Sequence, residues 1–340
     1  MAGADVAGEA VSAMHAAFGE WSRTTPWLRA EVLNRAAAEV IDRADELGDL
    51  LAREEGKTSP EARGEVVRAG QILAYYAGTA LQPHGLALDS VRPGIEITVT
   101  REPVGVVCVI TPWTFPIAIP TWKIAPALAF GNTVVFKPAD LVPASAWELV
   151  DILSRSGLPA GVLNLVLGRG SQVGPVLTGH PSVSAVTFTG SVDTGRGVLA
   201  DTIVHGAKAQ LELGGKNPLV VTRNASMAVA ADCLMQGGYG STGQRCTASS
   251  ILIATDDVHD VLVEAIRERM ALWRVGDART VGVDMGPPRR CHSTRSGSAL
   301  PGHCPRRRRR RHRRGADRWA WPFSGSGARS RHVAGRHSQP

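Results

Sequence analysis

A cysteine and a glutamate 34 residues apart are the sharpest chemical features of this 340-residue sequence. Cys246 stands in Gly243-Gln244-Arg245-Cys246-Thr247-Ala248, shortly after the pair Gly237-Gly238. A lone cysteine ordinarily fills a core as a small hydrophobe. A glycine-rich loop beside an arginine is a setting that can also lower a thiol pKa and leave the sulfur accessible, so Cys246 reads either as a packed side chain or as a nucleophile. Glu212 lies in Leu211-Glu212-Leu213-Gly214-Gly215-Lys216-Asn217-Pro218. An ionised carboxylate between two leucines is costly to bury, so either Lys216 pairs with it or partial burial tunes it as a general base.

Three further segments carry candidate chemistry. Thr111-Pro112-Trp113-Thr114-Phe115-Pro116 follows the apolar run Val104 to Ile110. A loop leaving the carboxyl end of a central parallel strand is where such sheets bind ligands; the plainer role is a proline-rich connection with packed aromatics. Val134-Val135-Phe136-Lys137-Pro138-Ala139-Asp140 reads as a strand ending in a lysine, with an acid three residues on. Lys137 and Asp140 then belong to the same sheet edge, or Lys137 is a solvated charge. In Phe188-Thr189-Gly190-Ser191-Val192-Asp193-Thr194-Gly195 a strand meets a Gly-Ser pair that opens a helix. Glycine lets the backbone approach a pyrophosphate and a helix N-terminus supplies amide donors. The spacing departs from G-x-G-x-x-G and equally serves an ordinary strand-to-helix turn.

The elements that must position these residues are legible from periodicity. Leu28, Val32, Leu33, Ala37, Val40, Ala44, Leu47 and Leu51 recur at three- and four-residue steps and predict one amphipathic helix. A second helix is expected from about Pro60 to Gly78, then a turn-marked segment from Pro83 to Pro103 whose alternating run Glu96 to Thr100 predicts a hairpin with a solvated face. Short β-branched runs follow at Val104–Ile110, Thr133–Phe136, Val162–Leu167, Ala185–Thr189 and Pro218–Thr222, separated by helical windows. Apolar strands alternating with helices predict an α/β fold with a parallel sheet covered on both faces. Pro143–Ser156 starts on a proline and stops at Gly157, Asp193–His205 stops at Gly206, and Val258–Leu272 is amphipathic. There is no internal repeat.

In this order the five segments, with Ile117-Ala118-Ile119-Pro120 and Trp122-Lys123-Ile124-Ala125-Pro126-Ala127-Leu128, resemble the NAD(P)-dependent aldehyde dehydrogenase superfamily from about Arg29 to Pro287. The texture is similar to its bacterial α-ketoglutaric semialdehyde (2,5-dioxopentanoate) branch. The resemblance implies a Rossmann-like NAD(P)-binding domain over 1–84 and 104–214, a hairpin oligomerisation arm over 85–103 and an incomplete α/β catalytic domain over 215–287. It makes Cys246 the nucleophile that forms a thioester from a small aldehyde, Glu212 the base that activates water, and Thr114 the oxyanion donor. Trp113, Lys137, Asp140, Gly190, Ser191, Gly195 and Gly214 would bind the cofactor, NAD or NADP, and no metal is implied. Two positions depart from the family. Thr114 replaces an asparagine, and by analogy with removing one oxyanion donor the expected loss is about 10²–10³ in turnover, ~3–4 kcal/mol. Asp140 replaces a glutamate, which leaves NAD against NADP open.

Charge divides the chain unevenly. The formal net charge is +7, yet fifteen of the 38 basic residues and one of the 31 acidic ones lie beyond Asp284-Met285-Gly286-Pro287, so the body carries −7 and the tail +14. An acidic body gives no support to a nucleic-acid partner. The tail, 288–340, holds six consecutive arginines, Arg306–Arg311, no lysine and few apolar residues; it is expected to be disordered and looks like a reading-frame change, the alternative being a genuine basic appendage. The resemblance then implies a homo-oligomer impaired by truncation and a chain that binds cofactor weakly or not at all. The alternatives are a non-catalytic cofactor-domain pseudoenzyme and a nucleic-acid-binding protein acting through Arg306–Arg311. Five cysteines without paired spacing suit a reducing compartment. Neither a signal peptide nor an apolar stretch of membrane length is seen, so a soluble, cytoplasmic protein with no membrane partner is expected.

Overall fold

The computed structural model describes residues 3–82 and 85–288; the tail beyond them, with Arg306–Arg311, lies outside the described residues. Four helices come first: α1 (Ala4–Trp21), α2 (Pro26–Asp42), α3 (Ala44–Glu55) and α4 (Ser59–Ala80). The single helix expected from Leu28 to Leu51 is two. Arg43 breaks it with φ −89° and ψ 20°, and its guanidinium binds Glu39, Glu46 and Glu148. The apolar stripe continues across the break because α2 and α3 bury the same core. The periodicity survives while the backbone turns. Strands β1 (Leu86–Asp89) and β2 (Glu96–Val99) form the expected antiparallel hairpin, exposed along both strands.

From there strands and helices alternate: β3 (Val106–Ile110), α5 (Ala118–Ala129), β4 (Thr133–Lys137), α6 (Pro143–Arg155), β5 (Leu163–Leu165), α7 (Gly170–Thr178), β6 (Val183–Gly190), α8 (Val192–His205) and β7 (Lys208–Leu213). The five strands make one wholly parallel sheet in the order β5-β4-β3-β6-β7. Alternation along each strand divides its side chains between two cores. Val107, Val109, Val134 and Phe136 pack with helices α2 to α6. Val106, Cys108 and Val135 pack with α1, α7 and α8 on the opposite face. Burial pushes the Cys108 thiol up to about 12, which leaves it a packing residue rather than a reactive one.

The remaining elements are β8 (Asn217–Val221), α9 (Met227–Leu234), β9 (Ser249–Ala254) and α10 (Asp256–Leu272). The run Pro218–Thr222, grouped by its texture with the other strands, forms β8, which does not join the five-stranded sheet but pairs in parallel with β9 alone. This small sheet buries Val221 on Ala231, Leu234, Leu262 and Ile266 from α9 and α10. Between α9 and β9 the helix loosens through Met235–Tyr239 and the chain turns back along Gly240–Gly243. No helix among the described residues is long and apolar enough to cross a membrane.

Candidate active site

The order of the sheet fixes where a ligand fits. From β3 the chain builds outward through β4 and β5, then returns to lay β6 on the other side of β3. Loops leaving β3 and β6 diverge at their carboxyl ends and open a crevice. Trp113 and Thr114 come from the loop after β3, Gly190 and Ser191 from the end of β6, and Gly214 from the turn after β7. The far wall is the segment Thr242 to Cys246. These residues enclose a cleft of about 350 Å³. A second cavity of about 600 Å³ lies against it, bordered by Tyr76, Trp122, Lys123, Gln210, Glu212 and Cys246. Cys246 and Thr189 belong to both.

The loop of Thr114 is pinned from below by an ion pair. Lys57 and Glu65 are each 1% exposed and meet at 2.6 Å. The Lys57 ammonium also donates to the Thr114 carbonyl at 2.6 Å and sits 3.6 Å from the centre of the Phe115 ring. The second oxygen of Glu65 accepts the backbone N–H groups of Ile117 and Ala118 at 2.9 and 3.1 Å. One buried pair therefore holds the backbone over 114–118, and with it the Thr114 side chain at the cleft. Glu55 is buried beside them; burial, opposed by the Lys57 charge and reinforced by Glu65, pushes its carboxyl up to about 8.

Cys246 is exposed and reduced. Its carbonyl accepts from Asn217 Nδ2 at 2.8 Å, and the same amide reaches the Ala248 carbonyl at 3.2 Å. Arg245 does not serve the thiol as the sequence suggested. Its guanidinium is committed to Glu61 at 2.8 Å and to the Ser241 hydroxyl at 3.0 Å, because the loop folds back onto the start of α4.

Glu212 also differs from expectation. Its residue is exposed rather than partly buried, and its carboxylate accepts from Gln210 Nε2 at 3.0 Å instead of pairing with Lys216. Edge strand β7 explains this: the second cavity leaves the side chain open to solvent. Behind it stands Lys123, which the sequence reading passed over. Lys123 is 5% exposed and donates to Thr187 Oγ1 at 2.7 Å and to Gln210 Oε1 at 3.1 Å. Burial, opposed by the Glu212 charge, brings its ammonium down to about 8. A lysine inside an otherwise apolar helix was the available signal.

The other candidates separate by position. Lys137 closes β4, buried with its pKa lowered by desolvation and raised less by Asp140. It stands outside the walls of both cavities, one strand along the same sheet edge, and Asp140 is exposed beyond it. The Ser191 side chain caps α8 by accepting the Thr194 N–H at 3.3 Å. Gly195 lies outside the cleft walls: a Cβ there would lie 2.6 Å from Leu213 Cδ2, the end of a flexible side chain on β7. Gly214 does the reverse, since a Cβ there would meet nothing within 4 Å and would intrude on the cleft itself. The hydroxyls of Thr111 and Thr189, at the ends of β3 and β6, are buried without a hydrogen-bond partner among the described residues. Orphaned polar atoms at the switch point, an open glycine turn and a helix N-terminus suit a dinucleotide. No cluster of metal-ligating side chains occurs among the described residues.

Comparison with known proteins agrees with this geometry. The profile of the aldehyde dehydrogenase family matches residues 1–295. A 2,5-dioxopentanoate dehydrogenase from Saccharolobus solfataricus is 44% identical over 281 residues, 82% of this chain and 59% of its own. An alpha-ketoglutaric semialdehyde dehydrogenase from Bacillus subtilis is 42% identical over 278 residues, 82% of this chain and 57% of its own. The crystal structure of betaine aldehyde dehydrogenase from Staphylococcus aureus in complex with NAD+ superposes with a TM-score of 0.85 at 33% identity, covering 87% of this chain and 59% of that one. The chain thus spans under two thirds of the length of the relatives it matches. With the crevice at the sheet's switch point and Cys246 on its rim, it belongs to the aldehyde dehydrogenase family.

Proposed function

We propose that this chain carries the NAD(P)-dependent aldehyde-oxidising site of its family, with a semialdehyde as substrate. The observation that carries the reading is Cys246 on the shared rim of two cavities, with Glu212 bordering one and the switch-point crevice forming the other. The Cys246 thiolate adds to the aldehyde carbon, a C–S bond forms, and the carbonyl electron pair moves onto oxygen. The Thr114 hydroxyl is the side-chain donor nearest this role, held there through Lys57 and Glu65. A bound nicotinamide supplies the acceptor for the two electrons and hydrogen that leave this carbon. Glu212 removes a proton from water as the water oxygen attacks the resulting Cys246 thioester; the C–S bond breaks, carboxylate leaves and the thiolate returns. Trp113, Gly190, Ser191 and Gly214 would hold the cofactor in the cleft, and Lys137 with Asp140 its adenosine ribose further along the edge. Gly195 lies outside this cleft, beside Leu213 of β7. The short Asp140 side chain leaves space for a 2′-phosphate, so both NAD and NADP are to be tried.

The same reading assigns residues 215–287 to a catalytic portion and the 85–103 hairpin to subunit pairing, for which the exposed Leu86, Leu88, Ile97 and Val99 are suitable. The relatives named above for semialdehydes support the substrate class. The test is NAD(P)H formation by the purified 340-residue chain with α-ketoglutaric semialdehyde and simple aldehydes. Weak activity abolished by Cys246→Ala, with Glu212→Gln accumulating a thioester without turnover, is the expected result. Cysteine-independent turnover would overturn the assignment.

A further inference from the structure

Glu61 takes no part in the chemistry above, yet its carboxylate reaches the nucleophile's loop. It lies in the first turn of α4. Its Oε2 accepts from the backbone N–H and the hydroxyl of Thr58 at 3.2 and 3.0 Å, closing the capping box that starts the helix. Its Oε1 faces the other way, accepting from the Ser241 N–H at 2.9 Å, the Ser241 hydroxyl at 3.2 Å and the Arg245 guanidinium at 2.8 Å.

The loop so held is strained. Ser241 and Thr242 have φ of 49° and 57°, consecutive non-glycine residues in the left-handed region that L side chains avoid. Gly243 continues the turn at φ 66°, and Cys246 follows three residues later. The Arg245 guanidinium lies against Gly240, where a Cβ would stand 2.9 Å from Nη2. Such a turn persists only where its surroundings over-determine it, and Glu61 is the acceptor that does so. One helical turn on, Glu65 holds the Thr114 loop from the same helix.

We propose that Glu61 is a positioning residue for Cys246: it locks Ser241 and Thr242 in the left-handed turn and holds Arg245 on α4, so fixing the thiol on the cleft rim opposite Thr114. Calling Cys246 the nucleophile rests on the function proposed above, but the placement of the thiol is measurable without turnover. Three ionisable groups, Tyr76 from α4, Lys123 from α5 and Glu212 from β7, share the second cavity with Cys246. All three are unchanged in the variants below, so a difference reports on the Glu61–Arg245 pair.

The full chain is alkylated with iodoacetamide across a pH series, and modification at Cys246 is read by peptide mass spectrometry against the exposed Cys233. Glu61→Gln keeps an acceptor for the Ser241 N–H but leaves the Arg245 charge unbalanced, so the midpoint pH for Cys246 should fall by about half a unit. Arg245→Met leaves the Glu61 charge unbalanced and should raise it. Cys233 should not move in either. Thr242→Gly, which relieves the left-handed strain, should raise the melting temperature of the wild type by about 2 °C and fail to do so with Glu61→Ala, which removes the acceptor that holds the turn. Unchanged Cys246 midpoints in both variants, or Cys233 moving in parallel, would overturn the proposal. If Glu61→Gln does not fold, Arg245→Met and the wild-type Thr242→Gly measurement decide it. A wild type without NAD(P)-dependent turnover defeats the dehydrogenase reading alone and leaves the alkylation result standing.

Discussion

The two parallel sheets of this molecule are built from the same residue types and differ in what covers them. In β4, Val134, Val135 and Phe136 are each 0% exposed, because helices lie on both faces of the five-stranded sheet. In β8 and β9, Val221 is buried against α9 and α10 while Val220 and Ile253 on the other side are 60% and 49% exposed. β-branched composition fits a pleated surface but does not decide its burial. The functional site lies across this difference. Trp113, Thr114, Gly190 and Ser191 stand on the covered sheet, whereas Cys246 stands on a loop running into the half-covered one.

The largest expected effect contrasts the two cores. Phe136→Ala empties a fully enclosed site and should cost about 3–5 kcal/mol, unfolding the large sheet. Leu262→Ala, in the small cluster with Ile266 and Leu234, should instead raise amide exchange within 217–286 while β3 and β4 keep their protection. Equal exchange in both sheets for either variant would show that the two unfold as one unit.

Next in size is the ion pair beneath the Thr114 loop. Lys57→Met leaves Glu65 buried without its cation, and breaking such a pair costs about 3–5 kcal/mol. The loss should appear in thermal melting and in faster exchange of the Ile117 and Ala118 amides that Glu65 accepts. A double change, Lys57→Met with Glu65→Gln, should recover much of the stability, since no charge is then stranded and the amide oxygen still accepts the Ile117 and Ala118 N–H groups. A double variant as unstable as the single one would place the pair's role in shape rather than charge.

These long-range pairs mark where the sequence stops being legible. Val104–Ile110 and Thr133–Phe136 are readable as strands because both faces are buried and every residue is apolar. The switch-point cleft follows from their order, and Trp113, Thr114, Gly190 and Cys246 line it. Strand β7 escapes because it is an edge strand carrying Lys208, Gln210 and Glu212 among its apolar residues; Gly206 marks the end of α8 but not the strand that follows. Lys57, Glu61 and Glu65 escape for another reason. On α4 and the turn before it they look like ordinary polar residues, and only tertiary contact over about 180 residues gives Glu61 its partners. Gly195 shows the converse: the resemblance places it with the cofactor, yet its nearest neighbour is the Leu213 side chain rather than the cleft.

A smaller, pH-dependent effect comes from Glu55 on the covered side. Its carboxyl ordinarily titrates at 4.5 and is raised to about 8 in the fold by burial. Below pH 4.5 it is protonated in both folded and unfolded chains. Between 4.5 and 8 the folded protein holds a proton that the unfolded chain releases, so stability falls as pH rises through that window. Above 8 the buried carboxylate carries its whole penalty. Glu55→Gln should therefore raise the melting temperature at pH 8.5 by several degrees and by much less at pH 5. An equal gain at both values would mean that Glu55 is not the titrating group.

The smallest expected change tests the half-covered sheet directly. Ile253→Thr keeps a β-branched side chain and places a hydroxyl on the open face of β9. On an exposed surface such a change is usually within about 0.5 kcal/mol, so the melting temperature should stay within a degree or two. The companion change Val221→Thr, on the buried face of β8, introduces a hydroxyl among Leu234, Leu262 and Ile266 and should cost about 1–3 kcal/mol. The ratio of the two measures how one-sided this sheet is in solution. If Ile253→Thr costs as much as Val221→Thr, the face carrying Val220 and Ile253 is covered in solution. A melting temperature that rises with protein concentration would then identify a second copy of the chain as the cover.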